Sequence, residues 1–227
     1  QTERLPDPLM EAVPPPVRLD AINAMQAPIV AAAELWALYS AEPAPADICM
    51  NEAQTRLACL DGEAWTWDEL ELFNSPLLLE MITPERFSAE VLLLGIDEPM
   101  AWVLVGSAVV SLPLAELAPY WTGRYRLLWQ PPVGFENALV LGDSSSVVAS
   151  VAQLFARLDA QPSPLADRRF NRALEQRVRL FQRQNRLVDD GVIGVQTLLK
   201  LNEQLAIDVT AAQARQQLQA ATEDELN

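Results

Sequence analysis

The sequence contains no histidine and only two cysteines among its 227 residues. Ser-His-Asp and Cys-His catalysis, histidine-ligated zinc and a four-cysteine metal site are therefore excluded within one chain. No uncharged apolar run reaches about 18 residues, which excludes a membrane-spanning helix in these residues. Hydrophobic residues still make up 50% of the chain, enough for a sizeable core in one large domain or two modest ones. We predict no metal site and no cofactor.

Basic residues are scarce in the first half of the chain. Residues 1–100 hold 18 acidic and 4 basic side chains, a net charge of −14, whereas residues 101–227 carry only −1. The overall charge of −15 disfavours nonspecific binding to nucleic acid or to an anionic membrane. Residues 168–186 are the exception, with seven arginines and one acid. This basic segment could bind the carboxylates of a ligand or pair with the protein's own acidic half.

Cys49 and Cys59 are ten residues apart, and this spacing alone leaves their chemistry open. In an oxidising compartment they would form a disulfide that closes a small loop, worth about 2–3 kcal/mol in the loop-entropy model. In a reducing compartment they would stay free thiols. A short helix is expected between them, over Met50–Leu57.

The first 132 residues predict a lead-in followed by an α+β domain. Five of the 17 prolines fall within residues 1–16, which indicates an extended, semi-rigid segment. Helices are predicted from Pro28 and over residues 67–73. Five short runs rich in β-branched or aromatic residues then predict strands, at Leu77–Ile82, Glu90–Ile96, Ala101–Val105, Val109–Leu112 and Arg124–Trp129. Turn signals at Asp97-Glu98-Pro99 and Gly106-Ser107 predict hairpins, so the sheet is antiparallel.

The composition changes after Pro131-Pro132, because no tryptophan or tyrosine follows residue 129. Residues 133–145 read as a linker, and helices are predicted over Val147–Leu158, Phe170–Arg186 and Val195–Leu205. After Asp208 we expect a frayed or disordered acidic helix. We therefore divide the chain into a proline-rich linker over 1–19, an α+β domain over 20–136, a small all-α domain over 137–207 and an acidic tail over 208–227.

The stretch Phe181–Leu198 predicts a helix, a tight loop and a second helix. Asp190-Gly191 makes the turn, and Gly194 allows tight entry into a helix whose first turn holds Thr197. The pattern resembles the three-helix peptidoglycan-binding domain, whose motif is matched by Val178, Phe181, Gln182, Leu187, Asp190, Gly191, Gly194, Thr197, Leu198 and Leu201. Arg186 stands where that family usually has glycine, so a left-handed residue there would cost about 1 kcal/mol.

This resemblance implies binding of cell-wall glycan strands or stem peptides. We expect a peptidoglycan-binding groove formed by Gln182, Arg183, Asp190, Gly191 and Thr197, with Gly194 and Arg179 beside it. The small core of the domain would be Val178, Phe181, Leu198 and Leu201, because a helix stripe that fills a three-helix core cannot also face a ligand. In this setting the ligand carboxylates open to the basic segment would be those of diaminopimelate or other stem-peptide groups.

The upstream half resembles a papain-like peptidase domain of the bacteriocin-processing class. The resemblance rests on Val110-Ser111-Leu112, Glu116-Leu117, Trp121-Thr122-Gly123, Leu128-Trp129 and Pro131-Pro132. Ala101 stands where that class has its catalytic histidine. The class places its nucleophilic cysteine at the start of the first core helix, here near Gln26-Ala27-Pro28, and neither cysteine lies there. The resemblance implies a degenerate peptidase domain with no catalytic residues, retained for binding or scaffolding.

Both halves in this order, with the cysteine pair, resemble the periplasmic region of the general secretion pathway protein A family (GspA, also called ExeA) of Gram-negative bacteria. Members of that family carry an upstream cytoplasmic ATPase and one inner-membrane helix, and act with a B partner to seat the type II secretion channel in peptidoglycan. The resemblance implies a periplasmic location and a Cys49–Cys59 disulfide. The implied partners are peptidoglycan, the B partner and the secretin channel.

Three function classes stay open on the sequence. The favoured one is a non-enzymatic wall-binding module of a secretion machine. The alternatives are a peptidoglycan hydrolase and a protein–protein scaffold that binds no glycan. Trp121 and Trp129 could stack on sugar rings or lie in the core. The acid pairs Asp68/Glu69 and Asp189/Asp190 could serve a glycosidase, although adjacent acids more often cap helix ends.

Overall fold

The computed structural model describes residues 20–50 and 55–225, with side chains up to residue 222. The proline-rich segment predicted for residues 1–19 and most of the helix predicted over Met50–Leu57 lie outside the described residues. Within the described ranges, no helix combines the length and the apolar character that crossing a membrane requires.

A six-stranded antiparallel sheet forms the first half of the molecule. Its strands are β1 Ala58–Glu63, β2 Leu77–Ile82, β3 Ser88–Asp97, β4 Met100–Val105, β5 Ala108–Pro113 and β6 Trp121–Trp129. Their spatial order is β1-β6-β2-β3-β4-β5, so the last strand inserts between the first two. The five strands predicted from sequence are confirmed within a few residues, as are the hairpins between β3 and β4 and between β4 and β5.

Strand β1 is the one that the sequence did not predict. Its residues, A-C-L-D-G-E, have no β-branched side chain, and pairing with β6 supplies the order that local propensity does not. Gly62 lies opposite Tyr125 in this pair, and a Cβ at Gly62 would sit 2.4 Å from the tyrosine hydroxyl oxygen. Cys59 of β1 forms the predicted disulfide with Cys49, across a Cα–Cα distance of 5.3 Å.

Helices cover both faces of the sheet and build the second half. They are α1 Ala21–Ala24, α2 Pro28–Ala37, α3 Trp67–Glu71, α4 Leu114–Leu117, α5 Ser146–Leu158, α6 Arg172–Gln184, α7 Val195–Gln204 and α8 Ala211–Glu225. Helices α5, α6 and α7 are the three predicted for the small domain, here called the helical module. The fold is therefore the predicted one, an antiparallel α+β sheet domain followed by an all-α module.

Successive side chains of the central strands alternate between two buried layers. Leu77, Leu79 and Met81 of β2 face a layer that continues without a break into the core of the helical module. Leu78, between them, faces the opposite layer, where α2 and α8 pack. A strand that is buried on both faces reads as a continuous apolar run, which explains the L-L-L-E-M-I sequence of β2.

The C-terminal segment differs from the expectation of a frayed or disordered tail. Helix α8 returns to the sheet, where Ala214 is buried and Arg215 donates to the Leu94 carbonyl over 2.8 Å. The Arg215 guanidinium also lies 5.4 Å from the ring centre of Trp102. Gly95 makes this approach possible, because a Cβ there would lie 2.6 Å from the arginine. This packing orders the helix, and the alanine- and glutamine-rich sequence of the helix gives no local signal that predicts it.

A buried polar cluster joins the sheet domain, the helical module and α8. The Asp208 carboxylate accepts from the Gln130 backbone N–H and from the Asn202 side-chain amide, each at 2.8 Å. Asn202 also donates to the Gln130 carbonyl, and the Gln130 amide donates to the Ile207 carbonyl. Burial raises the pKa of Asp208 from 3.8 to about 6, and the two accepted hydrogen bonds oppose that rise. The junction therefore ties three segments by hydrogen bonds rather than by a flexible linker.

Candidate functional site

The loop between α6 and α7 is held from below by Gln182. This residue is 2% exposed, and its amide nitrogen donates to the Val192 carbonyl over 2.8 Å. The same nitrogen lies 3.1 Å from the Asp190 carboxylate and 3.1 Å from the Thr197 hydroxyl oxygen. Its carbonyl oxygen accepts from the Gly191 N–H over 2.9 Å. One buried amide thus satisfies several polar groups of the loop at once.

Two of the predicted groove residues consequently do not line an open groove. Gln182 and Thr197 are 2% and 3% exposed, so they lie beneath the loop and shape it. Asp190 is exposed and accepts from the Val192 N–H over 2.8 Å, which closes the turn. Among the predicted site residues, the side chains at the surface around the loop are those of Asp190 and Arg183, with Arg179 half-buried beside them.

Gly191 is required by both conformation and packing. Its φ of +75° is left-handed, and a Cβ would lie 2.9 Å from the Arg179 side chain and 3.0 Å from that of Glu175. Gly194 is different, because its φ of −96° suits any residue and a Cβ there would meet no atom within 4 Å. The space outside Gly194 is open, so neither strain nor crowding accounts for a glycine at this position.

The four residues expected in the core of the helical module, Val178, Phe181, Leu198 and Leu201, are all buried. Phe181 meets Phe155 of α5 edge to face, with ring centres 5.4 Å apart. Helix α6 ends at Gln184 with Asn185 as its C-cap, and the next residue, Arg186, has a left-handed φ of +58°. The Leu187 N–H donates to the Gln182 carbonyl over 2.9 Å, which completes a Schellman cap with arginine at the usual glycine position.

The seven arginines of the basic segment divide into paired and unpaired groups. Arg177 pairs with Asp159, Arg179 with Glu175 and Arg183 with Asp189. All three acids belong to the helical module, so within the described residues the segment makes no ion pair with the acidic first half of the chain. The exposed arginines that form no ion pair within the described residues are Arg168, Arg169, Arg172 and Arg186.

One acid of each pair accepts a hydrogen bond from the backbone. The Glu69 carboxylate accepts from the Trp65 N–H at the start of α3, and Asp190 closes the loop turn described above. Trp129, one of the two candidate sugar-stacking residues, is 4% exposed and belongs to the core. Trp121, the other, stacks on Trp67 with ring centres 4.3 Å apart. Trp65 is 88% exposed, although the sequence around it has no pattern that distinguishes it from the buried tryptophans.

The peptidase-like positions contain no acid–base chemistry. Ala101 is buried and pairs with Leu112 of β5 and with Ile96 of β3. Gln26, next to the position expected for a nucleophile, pairs with Glu90, six residues away from Ile96 along β3. At about 3.3 Å per residue this separation is roughly 20 Å. The structure therefore does not bring the two expected positions together.

Half-buried carboxyls do lie near the start of α2. Burial raises the pKa of Glu90, while the Arg126 guanidinium lowers it. Burial also raises the pKa of Glu34, whose carboxylate accepts from the Gln26 amide over 2.7 Å. The pocket beside Glu90 encloses 120 Å³, well below the about 300 Å³ at which sites for small ligands begin. It is too small to hold a sugar.

Comparison with known proteins bears on both halves. Residues 18–131 match the family model described as GspA, peptidase C39-like domain. The chain belongs to the GspA C39-like family. Residues 144–201 match a peptidoglycan-binding domain model. The predicted composition of a C39-like domain followed by a peptidoglycan-binding domain is therefore confirmed.

Two curated relatives of this GspA-family chain are general secretion pathway proteins A. The chain is 30% identical to that of Aeromonas hydrophila over 68% of its own length and 28% of the relative's. It is 26% identical to that of Escherichia coli K12 over 70% of its length and 32% of the relative's. It thus spans about a third or less of these relatives.

A solved structure is also similar over most of the chain. It is a periplasmic domain of the EpsAB fusion protein of the Vibrio vulnificus type II secretion system. The sequence identity is 28% and the TM-score 0.57, with 90% of this chain and 87% of that chain covered.

Proposed function

We propose that this region binds peptidoglycan without cleaving it and helps to anchor and assemble the type II secretion channel in the cell wall. The observation that supports this most directly is the α6–α7 loop, which a buried amide holds in one conformation from below. A rigid loop binds with a smaller loss of conformational entropy than a mobile one. The match to a peptidoglycan-binding domain supports peptidoglycan as the ligand, and the type II secretion relatives support the setting.

The predicted site residues take two roles in this proposal. Arg183, Asp190 and the backbone at Gly194 touch the wall component, with Arg179 at the margin. Gln182, Gly191 and Thr197 are positioning residues, because they lie beneath or within the turn and determine its shape. Substitution of Gln182 would therefore act on the ligand through the loop.

The sheet domain is proposed as a scaffold in the periplasm. The chain has no histidine, and Ala101, which the resemblance places at the catalytic-histidine position, is buried. The B partner and the secretin channel are its proposed partners, and the membrane anchor and the ATPase known from the family would lie upstream of this region. The packing of α8 and the Asp208 cluster would transmit a load from the wall-bound module to this domain.

Co-sedimentation with purified sacculi tests the proposal, using Gly194→Ser as the diagnostic variant. Serine is a favoured N-cap, and Gly194 is the N-cap of α7, so the fold should be as stable as before or more stable. The added side chain would fill the open space outside the loop, and we expect at least fivefold weaker pelleting. Ala118→Ser, at an exposed position of the sheet domain, is the control and should pellet like the parent.

Two results would overturn the proposal. Clearing of a peptidoglycan zymogram by the purified chain would indicate the hydrolase alternative. Failure of the folded parent chain to pellet with sacculi would favour a scaffold that binds no glycan. Normal pelleting of Gly194→Ser would instead show that the wall component is not bound at the loop, although the chain binds peptidoglycan.

A further inference from the structure

The helical module contains a second concave surface, away from the α6–α7 turn. The C-terminal ends of α5, α6 and α7 converge there around a cleft of 510 Å³. Sites for small ligands usually enclose about 300–1,000 Å³, so the cleft has room for a sugar unit with its substituents. None of the residues expected from the sequence to bind the wall lines it.

The lining of the cleft is polar but nearly uncharged. Four side-chain amides line it, from Gln161, Gln184, Asn185 and Gln204. Gln184 and Gln204 are exposed, and the Gln204 amide donates to the Asn185 side-chain oxygen over 2.6 Å. Leu158 and Leu180 supply apolar surface between the amides, and the buried Phe181 lies beneath them. Such a lining suits a ligand with both hydrogen-bonding groups and apolar ring faces.

The two charged side chains in the lining of the cleft, Arg177 and Asp159, form an ion pair with no net charge. Arg177 binds both carboxylate oxygens of Asp159, with Nε 2.7 Å from one of them. Its guanidinium lies 5.2 Å from the ring centre of Phe155, and its side chain is only 15% exposed. The Arg177 Nη1 is buried and has no acceptor within the described part of the chain. The pair therefore adds no net charge to the cleft.

The position of the cleft also selects against anions. Helix C-termini carry partial negative charge, and three of them point to this place. Carboxylates of stem peptides would be repelled here, whereas hydroxyl and N-acetyl N–H donors would be attracted. The exposed arginines Arg168, Arg169 and Arg172 lie at the other end of α6, and Arg186, although close in sequence, does not line the cleft.

We infer that this amide-lined cleft binds the N-acetylated sugar backbone of the wall rather than its stem peptides. The inference rests on the proposed function and specifies which chemical part of the wall is recognised. Acetamido groups would hydrogen-bond with Gln184, Asn185 and Gln204, and a sugar ring would pack on Leu180 and Leu158. The loop site at Gly194 would then contact a different part of the same polymer.

The first test is a nuclear magnetic resonance titration of the full chain with two probes. N,N′,N″,N‴-tetraacetylchitotetraose should shift the side-chain amide signals of Gln184, Asn185 and Gln204. A free stem tetrapeptide with its carboxylates should leave them unchanged. Shifts with the tetrapeptide alone, or with neither probe, would overturn the inference.

The second test is sacculus binding by the variant Gln184→Ala/Gln204→Ala. Both residues are exposed, so the variant should melt within a few degrees of the parent, and we expect at least tenfold weaker pelleting. Gln216→Ala/Gln217→Ala removes two exposed amides of α8 and is the matched control. If the parent pellets and the cleft variant pellets equally well, this inference fails while the proposed function stands. If the folded parent does not pellet, the proposed function fails and the inference fails with it.

Discussion

The sheet domain and the helical module differ in what they bury at their most informative positions. In the sheet, Ala101 and Leu112 are opposite each other on neighbouring strands. Both side chains are apolar, so they pack without any hydrogen-bond partner. In the module, Gln182 and Thr197 are equally buried but polar, and each must find hydrogen-bond partners to be tolerated there. Buried apolar pairs specify little beyond volume, whereas a buried amide specifies the path of the loop that satisfies it.

The two regions are nevertheless built as one body. The apolar layer under β2 continues into the module, and the Asp208 cluster and α8 bind the module back to the sheet. The apolar pairs of the sheet and the buried polar side chains of the module therefore belong to one continuous core. The following experiments ask how far each region depends on the other.

The largest effect is expected from Leu201→Ala, at the centre of the module core. Removing a fully buried leucine typically costs about 2–5 kcal/mol. All six tryptophans lie before residue 130, so tryptophan fluorescence reports the sheet domain and far-ultraviolet circular dichroism reports both regions. We expect both signals to melt together at a lower temperature. An unchanged fluorescence melt with an early loss of helix would show that the regions are independent.

A smaller effect, dependent on pH, is expected from Asp208. Its pKa is raised in the folded protein, so its proton favours folding, and that stabilisation is present below pH 3.8 and lost as the pH rises through about 6. The loss of stability should approach 3 kcal/mol, because each unit of pKa difference between the folded and unfolded states contributes about 1.4 kcal/mol. Urea unfolding from pH 4 to 8 should show a steeper decline for the parent than for Asp208→Asn. Parallel profiles would mean that the cluster is accessible to water.

The smallest effect, a gain, is expected from Arg186→Gly. Glycine adopts the left-handed φ without penalty, so the variant should be about 1 kcal/mol more stable than the parent. Arg183→Gly, three residues earlier and inside α6, should instead lose about 1 kcal/mol because its backbone is helical. Thermal melts of both variants give the comparison. A loss of stability in Arg186→Gly would indicate that the arginine side chain contributes more than its backbone costs.

Much of the fold could be read from local pattern. Runs of β-branched and aromatic residues located five strands, and the apolar stripe of α6 together with Asp190-Gly191 located the turn. The left-handed Arg186 followed from a single departure from the family motif. These features depend on residues within one or two turns of each other, and local physics suffices for them.

Other features had no local signal. Strand β1 exists because β6 and a disulfide hold it, and α8 is ordered because Gly95 leaves room for Arg215. The burial of Gln182 was missed because a glutamine on a helix face looks the same whether water or a loop lies above it. The cleft at the helix ends was missed because its amides come from the ends of two helices and from the segment after a third.

The sequence by itself determined five of the six strands, the helices of the module, the absence of imidazole chemistry and the kinship of both halves. It did so because backbone propensity, side-chain period and residue inventory are properties of short stretches of chain. Only the tertiary structure decided which polar groups are buried, how the tail closes on the sheet and where side chains from distant helices meet. Those outcomes depend on contacts between residues far apart in the chain, whose energies exist only once the core has formed.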